Sequence, residues 1–147
     1  MINIEVNFEN IVEIEMQDSI KDYCKRVLKY LEITKWEISV VICDNQYIKD
    51  LNYRYRYKNE PTDVLSFNQD LVPVDGTIYA GDIVISLEAV KLNAITYSVP
   101  FNEELKRVVV HGILHLNGMD HQTNSEEEKM LQIQEDLLKK IPGDIII

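Results

Sequence analysis

Residues 111–121, HGILHLNGMDH, contain all three histidines of the 147-residue chain. On an α-helix, His111 and His115 differ by about 40° in azimuth and about 6 Å in height, so both imidazoles can reach one metal ion. A continuing helix would turn His121 about 120° away from His115 and carry it about 9 Å further along the axis. Gly118 can adopt the left-handed conformation that ends a helix and lets the chain return. The spacing therefore predicts a three-histidine metal site on a helix and the turn that follows it.

Three protein ligands leave the fourth position of a tetrahedral ion to water, which is typical of catalytic rather than structural zinc. Two histidines four residues apart, taken alone, are more often ordinary core or surface side chains. The addition of Gly118 and His121 favours the metal site. Asp120, next to His121, is either a hydrogen-bond acceptor that orients an imidazole or a turn former, and both interpretations stay open.

Gly112 separates this motif from that of the metzincin proteases, which share the ligand spacing in HExxHxxGxxH but have a glutamate as general base at that position. A glycine inside a helix costs about 1 kcal/mol relative to alanine. We therefore expect something large, such as a substrate, to approach the helix closely at Gly112.

The chain before the histidines alternates between strand and helix patterns. Strands are predicted at residues 2–8, 36–43, 63–67 and 81–86, from period-two alternation or β-branched runs. The last two strands flank a loop of proline and glycine, which suggests that they are neighbours in the sheet.

Five helices are predicted from their end signals. The signals are Asp18 for the first helix, Asp44 or Asn45 for a second that stops at Pro61, Ser86 for a third through about Ala94, Pro100 for the histidine helix, and Thr123 with Glu126 as a capping box for the last. Together the elements predict an α/β (α+β) fold: a single domain over residues 1–147, with a mixed sheet of about four strands packed with about five helices.

Composition narrows the class of protein. With 46% hydrophobic residues, a chain of this length can bury one core. The sequence has neither a signal-peptide pattern nor an apolar run long enough to span a membrane, so we expect a cytoplasmic location. Cys24 and Cys43 are expected to be buried, reduced thiols. The formal net charge of −10 opposes nonspecific binding to nucleic acid, so an RNA substrate would require a local basic patch.

Three blocks of the sequence resemble the YbeY family, the bacterial endoribonucleases that mature ribosomal RNA. HGILHLNGMDH is similar to the family signature HGxLHLxGxDH, LNYRYRYKNEPTDVLSF at 51–67 is similar to its LNxxYR and PTDVLSF block, and GDIVIS at 81–86 is similar to its GDIxIS block. The likeness is specific between about residues 51 and 121, whereas the first fifty residues and the tail match only in pattern.

The resemblance implies one Zn²⁺ held by His111, His115 and His121, with Arg56 and His111 as catalytic residues. It also implies single-strand-specific RNA cleavage in the maturation of the 3′ end of small-subunit rRNA, and a part in ribosome quality control. The expected partners are single-stranded RNA and the small ribosomal subunit or a basic ribosomal protein, with no DNA and no membrane.

Aromatic and basic side chains alternate at residues 53–58, YRYRYK, where they could stack bases and bind phosphates. In the alternative interpretation Tyr55 packs in the core, while Arg54 and Lys58 are merely solvated. Lys106 and Arg107, one turn before His111, are expected to add positive charge near the metal.

The reaction expected from such a site is metal-assisted cleavage of a phosphodiester, with Arg56 holding a phosphate oxygen. Asp120 and Asp82 are candidate general bases, although Asp82 could equally cap a turn. Either water or an RNA 2′-OH could be the attacking group. Two other functions stay open: a zinc metalloprotease, opposed by Gly112, and a non-catalytic ribosome-assembly factor whose metal only braces the fold.

Overall fold

The computed structural model describes residues 2–69, 73–119 and 124–145, the side chains of residues 124 and 126 excepted. Its elements follow the predicted alternation of strands and helices. In chain order they are β1 (Asn3–Glu9), α1 (Ile14–Tyr30), β2 (Trp36–Cys43), α2 (Asn45–Arg56), β3 (Val64–Asn68), β4 (Pro73–Val74), β5 (Thr77–Ser86), α3 (Leu87–Thr96), α4 (Phe101–Leu116) and α5 (Asn124–Lys140).

The strands form one mixed sheet in the order β1-β2-β5-β3, with the two-residue β4 pairing with β5 off this path. β1, β2 and β5 run parallel to one another, whereas β3 and β4 pair with β5 in the antiparallel direction. The predicted mixed sheet and the five helices are confirmed, and so is the neighbourhood of the DVLSF and GDIVIS strands. β4 is an addition to the four predicted strands.

The two faces of the sheet carry different helices, because successive side chains of a strand point to opposite sides. Ile83 and Ile85 belong to the larger core, which also contains buried side chains of α1, α4 and α5. Val84, between them, belongs to a smaller cluster with Leu65 and with Ile48 of α2. The histidine helix and α2 therefore lie on opposite faces of the sheet.

Two N-terminal caps are where the sequence places them. The Asp44 carboxylate accepts the backbone N–H of Tyr47 at 3.0 Å, and the Ser86 hydroxyl accepts that of Ala89 at 3.3 Å. The cap predicted at Asp18 is wrong, because α1 begins at Ile14 and its N-cap position is Glu13, five residues earlier, where no side chain caps the helix. The burial of Met16 in the core accounts for this extra turn.

The end predicted for α2 at Pro61 is also wrong. The helix ends at Arg56, because Tyr57 adopts the left-handed conformation (φ 59°) and its N–H closes onto the last turn. This early end places Arg56 in the last turn of α2. The capping box at Thr123 lies outside the described residues.

The C-terminal segment packs against α4. Ile145 is buried and its N–H donates to the Asn102 side chain at 3.1 Å. Asp144 pairs with Lys106 at 3.1 Å. None of the helices in the described ranges is both long enough and apolar enough to cross a membrane.

Both cysteines are buried and neither forms a disulfide, as expected. Burial raises the pKa of each thiol to about 12, so both are protonated and unreactive near neutral pH.

Candidate active site

Helix α4 presents His111 and His115 on one face, as the spacing predicts. Their ring centroids are 4.8 Å apart, the rings are tilted by 60° to one another, and both side chains are half-buried. His121 and Asp120 lie outside the described residues, so the third ligand stays a prediction. Among the residues that are described, no three His, Cys, Asp or Glu side chains are grouped to hold a metal.

Gly118 ends the histidine helix in the predicted way. Its φ is +85°, its N–H donates to the carbonyl of His115, and the next N–H, that of Met119, donates to the carbonyl of Leu114, each at 3.0 Å. These two bonds form the Schellman motif, which satisfies carbonyls of the last helical turn. The chain therefore leaves the helix axis directly after the two histidines.

The close approach expected at Gly112 is made by the sheet and not by a substrate. A Cβ added to Gly112 would lie 2.7 Å from Cγ2 of Ile83, a fully buried side chain of β5. The expectation of a substrate there is wrong, because this side of α4 faces the core. Glycine lets α4 lie close on β5 and so sets the depth at which the neighbouring histidines sit.

Edge strand β3 holds the C-terminal half of α4. The Asn68 amide donates to the carbonyls of His115 and Leu116, at 3.1 and 3.3 Å, and the Ser66 hydroxyl donates to the carbonyl of Gly112 at 3.4 Å. Side chains of the DVLSF strand and of the residue after it therefore anchor the backbone that carries the histidines.

Arg56 reaches the same place from the other face of the sheet. Its Nη2 donates to the carbonyl of Ser66 at 3.0 Å, and its Cζ lies 5.8 Å from the centre of the Phe67 ring. A small cavity of about 100 Å³ is lined by Arg56, Val64, Leu65, Ser66, His111 and His115. The structure thus brings Arg56 together with both described histidines.

Sequence reasoning missed Gln134 of α5. Its Oε1 lies 2.8 Å from Nδ1 of His111, and the side chain is 4% exposed. Its Nε2 donates to the Glu135 carboxylate at 3.2 Å, and since a carboxylate only accepts, this contact orients the amide. Oε1 then accepts a hydrogen bond from Nδ1–H of His111, and in the neutral ring with this tautomer the lone pair is on Nε2. A signal existed: Gln134 lies four residues after Met130, on the inward face of α5.

The positive charge expected from Lys106 and Arg107 is neutralised. Arg107 binds Glu135 through two nitrogens, each at 2.9 Å, and binds Glu104 at 2.8 Å. These hydrogen bonds raise the pKa of Arg107 further. Lys106 pairs with Asp144. The prediction that both residues enrich the histidine site in free positive charge is therefore wrong.

Asp82 does not belong to the histidine site. It stands within β5, one residue from Ile83, so its side chain lies on the α2 face, where it accepts the Tyr79 hydroxyl at 2.5 Å. Burial first, and then this bond, raise the pKa of Tyr79. Asp82 is therefore neither a turn cap nor a general base beside His111, because the sheet separates the two.

The alternating segment at 53–58 is exposed. Tyr53, Tyr55 and Tyr57 are 60%, 58% and 89% exposed, and Arg54 and Lys58 are also exposed. The interpretation that Tyr55 packs in the core is wrong; its ring meets Phe67 edge-on at 5.4 Å. These aromatic rings are accessible to a ligand in solution.

Fold and site together define a small α/β protein in which a histidine-bearing helix packs on a mixed sheet and an arginine reaches it around the edge strand. The family model for endoribonuclease YbeY matches residues 1–142, and the chain belongs to this family.

Individual relatives agree with the family match. The chain is 50% identical over 123 residues to endoribonuclease YbeY of Treponema denticola, which covers 81% of this chain and 79% of the relative. It is 48% identical over 143 residues to that of Borreliella burgdorferi, with 90% of each covered. The solution structure of a Thermotoga maritima protein matches with a TM-score of 0.67 at 29% identity, over 96% of this chain and 89% of that one. These matches favour neither the metalloprotease nor the non-catalytic assembly factor.

Proposed function

We propose that this chain is a cytoplasmic, single-strand-specific endoribonuclease that uses one zinc ion to mature the 3′ end of small-subunit rRNA, with a part in ribosome quality control. One observation carries the proposal: Arg56 and two histidines line one cavity, although they come from different helices on opposite faces of the sheet. Membership of the family supports endonucleolytic cleavage of RNA, because the relatives are named endoribonucleases.

The donor set fits a zinc ion held by His111, His115 and His121. Imidazole nitrogens suit zinc, and a ligating histidine usually donates its other ring nitrogen to a fixed acceptor. The Gln134 amide oxygen is such an acceptor for Nδ1 of His111. Glu135 and Arg107 orient the amide in turn, and this orientation favours the His111 tautomer that carries its proton on Nδ1.

We infer that Arg56 binds a phosphate of the substrate. Its guanidinium is exposed, and a single carbonyl, that of Ser66, accepts one of its five N–H groups among the described residues. A planar guanidinium can hold two oxygens of a phosphodiester at once and offset the charge that grows there in the transition state. A bound zinc ion would lower the pKa of a coordinated water toward about 7 and polarise a phosphoryl oxygen.

The proposed substrate and partners rest on the exposed side chains of residues 53–58 and on the net charge of the chain. The exposed Tyr55 ring and the neighbouring basic side chains of Arg54 and Lys58 offer stacking and phosphate contacts to unpaired RNA. The net charge of −10 keeps nonspecific RNA binding weak, and it suits a basic ribosomal protein of the small subunit as partner.

The decisive test is cleavage of a single-stranded RNA oligonucleotide by zinc-loaded protein, beside folded Arg56→Ala and His111→Ala variants. We expect zinc-dependent cuts that both substitutions abolish. Cuts that survive both would identify a contaminating ribonuclease, and steady zinc-dependent cleavage of an unfolded protein would favour the metalloprotease instead. The new ends separate the two attacking groups, since a 2′,3′-cyclic phosphate arises only from attack by the 2′-OH.

A further inference from the structure

A larger cavity lies across the edge strand from the histidines, on the α2 face of the sheet. Its volume is about 290 Å³, near the lower end of the range for small-ligand pockets, about 300–1,000 Å³. We call it the aromatic cavity; its walls include the side chains of Tyr47, Tyr55, Phe67, Gln69 and Asp82. Of these five residues, the function proposed above uses only Tyr55, as a stacking surface for RNA.

The Phe67 ring links the aromatic cavity to Arg56 of the histidine cavity, by which we mean the cavity of about 100 Å³ lined by Arg56, His111 and His115. Phe67 lines the aromatic cavity and contacts the exposed Tyr55 ring edge-on. The guanidinium of Arg56, which lines the histidine cavity, lies over the same Phe67 ring. A ligand that binds Arg56 through a phosphate would therefore lie next to the Phe67 wall of the aromatic cavity, around the edge of β3.

The polar groups in the aromatic cavity can recognise the edge of a base. Asp82 accepts the Tyr79 hydroxyl through Oδ1 only, and within the described residues Oδ2 accepts no hydrogen bond. A carboxylate oxygen in such a pocket suits the ring and exocyclic N–H groups of a nucleobase. Its negative charge disfavours a phosphate there, so base and phosphate would be sorted to opposite sides of β3.

We propose that the aromatic cavity binds one unpaired RNA nucleobase, next to the nucleotide whose phosphate is held by Arg56. The inference rests on the proposed function and deepens it, because it accounts for the need for single-stranded RNA. A base can enter the cavity and stack beside Tyr55 only when it is not paired in a duplex.

The test is a double-mutant cycle that combines a substitution in the protein with the removal of one base from the RNA. Binding of a labelled 2′-O-methyl phosphorothioate hexanucleotide, which resists cleavage, is measured with zinc-loaded wild type and Tyr55→Ala. The hexanucleotide is then prepared with an abasic residue at each position in turn. Tyr53→Ala is the matched control, because Tyr53 is equally exposed on the same helix but does not line the cavity.

We expect Tyr55→Ala to weaken binding about tenfold, with Tyr55→Phe and Tyr53→Ala near wild type. At one position, removal of the base should cause the same loss in wild type and no further loss in Tyr55→Ala. Asp82→Asn, which keeps an oxygen for Tyr79, should weaken binding about threefold.

Three results would overturn the inference: no measurable binding by wild type, equal affinities of Tyr55→Ala and Tyr53→Ala, or losses that add at all six positions. Cleavage of unmodified RNA is scored in parallel. Coupling between Tyr55 and one base without any cleavage would refute the proposed nuclease and leave the base site standing.

Discussion

Two arginines near the histidine helix have opposite surroundings. Arg107, one turn before His111 on the same helix, is bound by the carboxylates of Glu104 and Glu135. Arg56, from a different helix, has no carboxylate within ion-pair distance in the part of the chain that the structure describes, and it donates to the carbonyl of Ser66. The arginine nearer in sequence is neutralised, while the distant one keeps its charge for a ligand.

The comparison separates a supporting role from a binding role. Arg107 acts on the site indirectly: it binds Glu135, which accepts a hydrogen bond from the Gln134 amide, and Gln134 in turn contacts His111. Arg56 faces the cavity itself. Substitution of Arg107 should therefore mainly change the free energy of unfolding, whereas substitution of Arg56 should mainly change the rate of RNA cleavage.

Arg56→Ala should produce the largest effect. We expect kcat/KM for RNA cleavage to fall about 100- to 1,000-fold, as when a group that stabilises transition-state charge is removed. The free energy of unfolding should change by less than about 0.5 kcal/mol, because the side chain is exposed. Arg56→Lys, which keeps the charge but loses the planar fork, should recover only part of the rate. A loss of more than about 1 kcal/mol in the free energy of unfolding would show that Arg56, like Arg107, supports the fold.

Arg107→Met should mainly destabilise the fold. Glu104, with 7% of its side chain exposed, would lose its charged partner, and we expect urea unfolding to show a loss of about 2 kcal/mol. The figure is below that for a fully buried pair because 22% of Arg107 is exposed. The double variant Arg107→Met with Glu104→Gln should recover part of the loss. An unchanged unfolding midpoint would show that the ion pairs contribute nothing.

Gln134→Leu should lower zinc affinity about tenfold, because His111 would lose the acceptor that fixes its tautomer. The measurement is competition with a chromophoric chelator, which needs no cleavage. Gln132→Leu, an exposed position on the same helix, is the control, and Gln134→Glu should keep most of the affinity because it retains an oxygen acceptor. Equal affinities of the two leucine variants would disprove the positioning role.

The Arg107–Glu135 pair should add a small pH dependence to stability. Hydrogen bonds from Arg107 lower the pKa of Glu135 below its ordinary 4.5. The stability from this shift is fully present above pH 4.5 and is lost as the pH falls through the lowered pKa of the folded state. Because 45% of Glu135 is exposed, we expect less than about 1 kcal/mol.

Unfolding of wild type and Glu135→Gln, followed between pH 7 and 3, tests this expectation. The stability difference between the two should be constant at the upper end and shrink below pH 4.5. A difference that grows as the pH falls would contradict the assigned direction of the shift.

Local sequence patterns predicted most of the strands and helices and the shared face of the two described histidines. The position of β2, the end of β5 at Ser86, the caps at Asp44 and Ser86, and the end of α4 at Gly118 follow from residues a few places apart. The start of β5 does not, because the strand begins at Thr77, four residues before the predicted Gly81. The shared face of His111 and His115 is likewise a property of one helix. Such features depend on backbone geometry within a turn or a strand, which short segments of sequence encode directly.

Tertiary packing alone decided the surroundings of these residues. Several contacts depend on which helix covers which face of the sheet. Gly112 contacts Ile83, Asp82 faces away from the histidines, and Gln134 binds His111. For the same reason Arg107 is neutralised, while Arg56 is not. These contacts join residues far apart in the chain. No local pattern encodes them, because each is set by strand register and helix packing, which the whole core determines together.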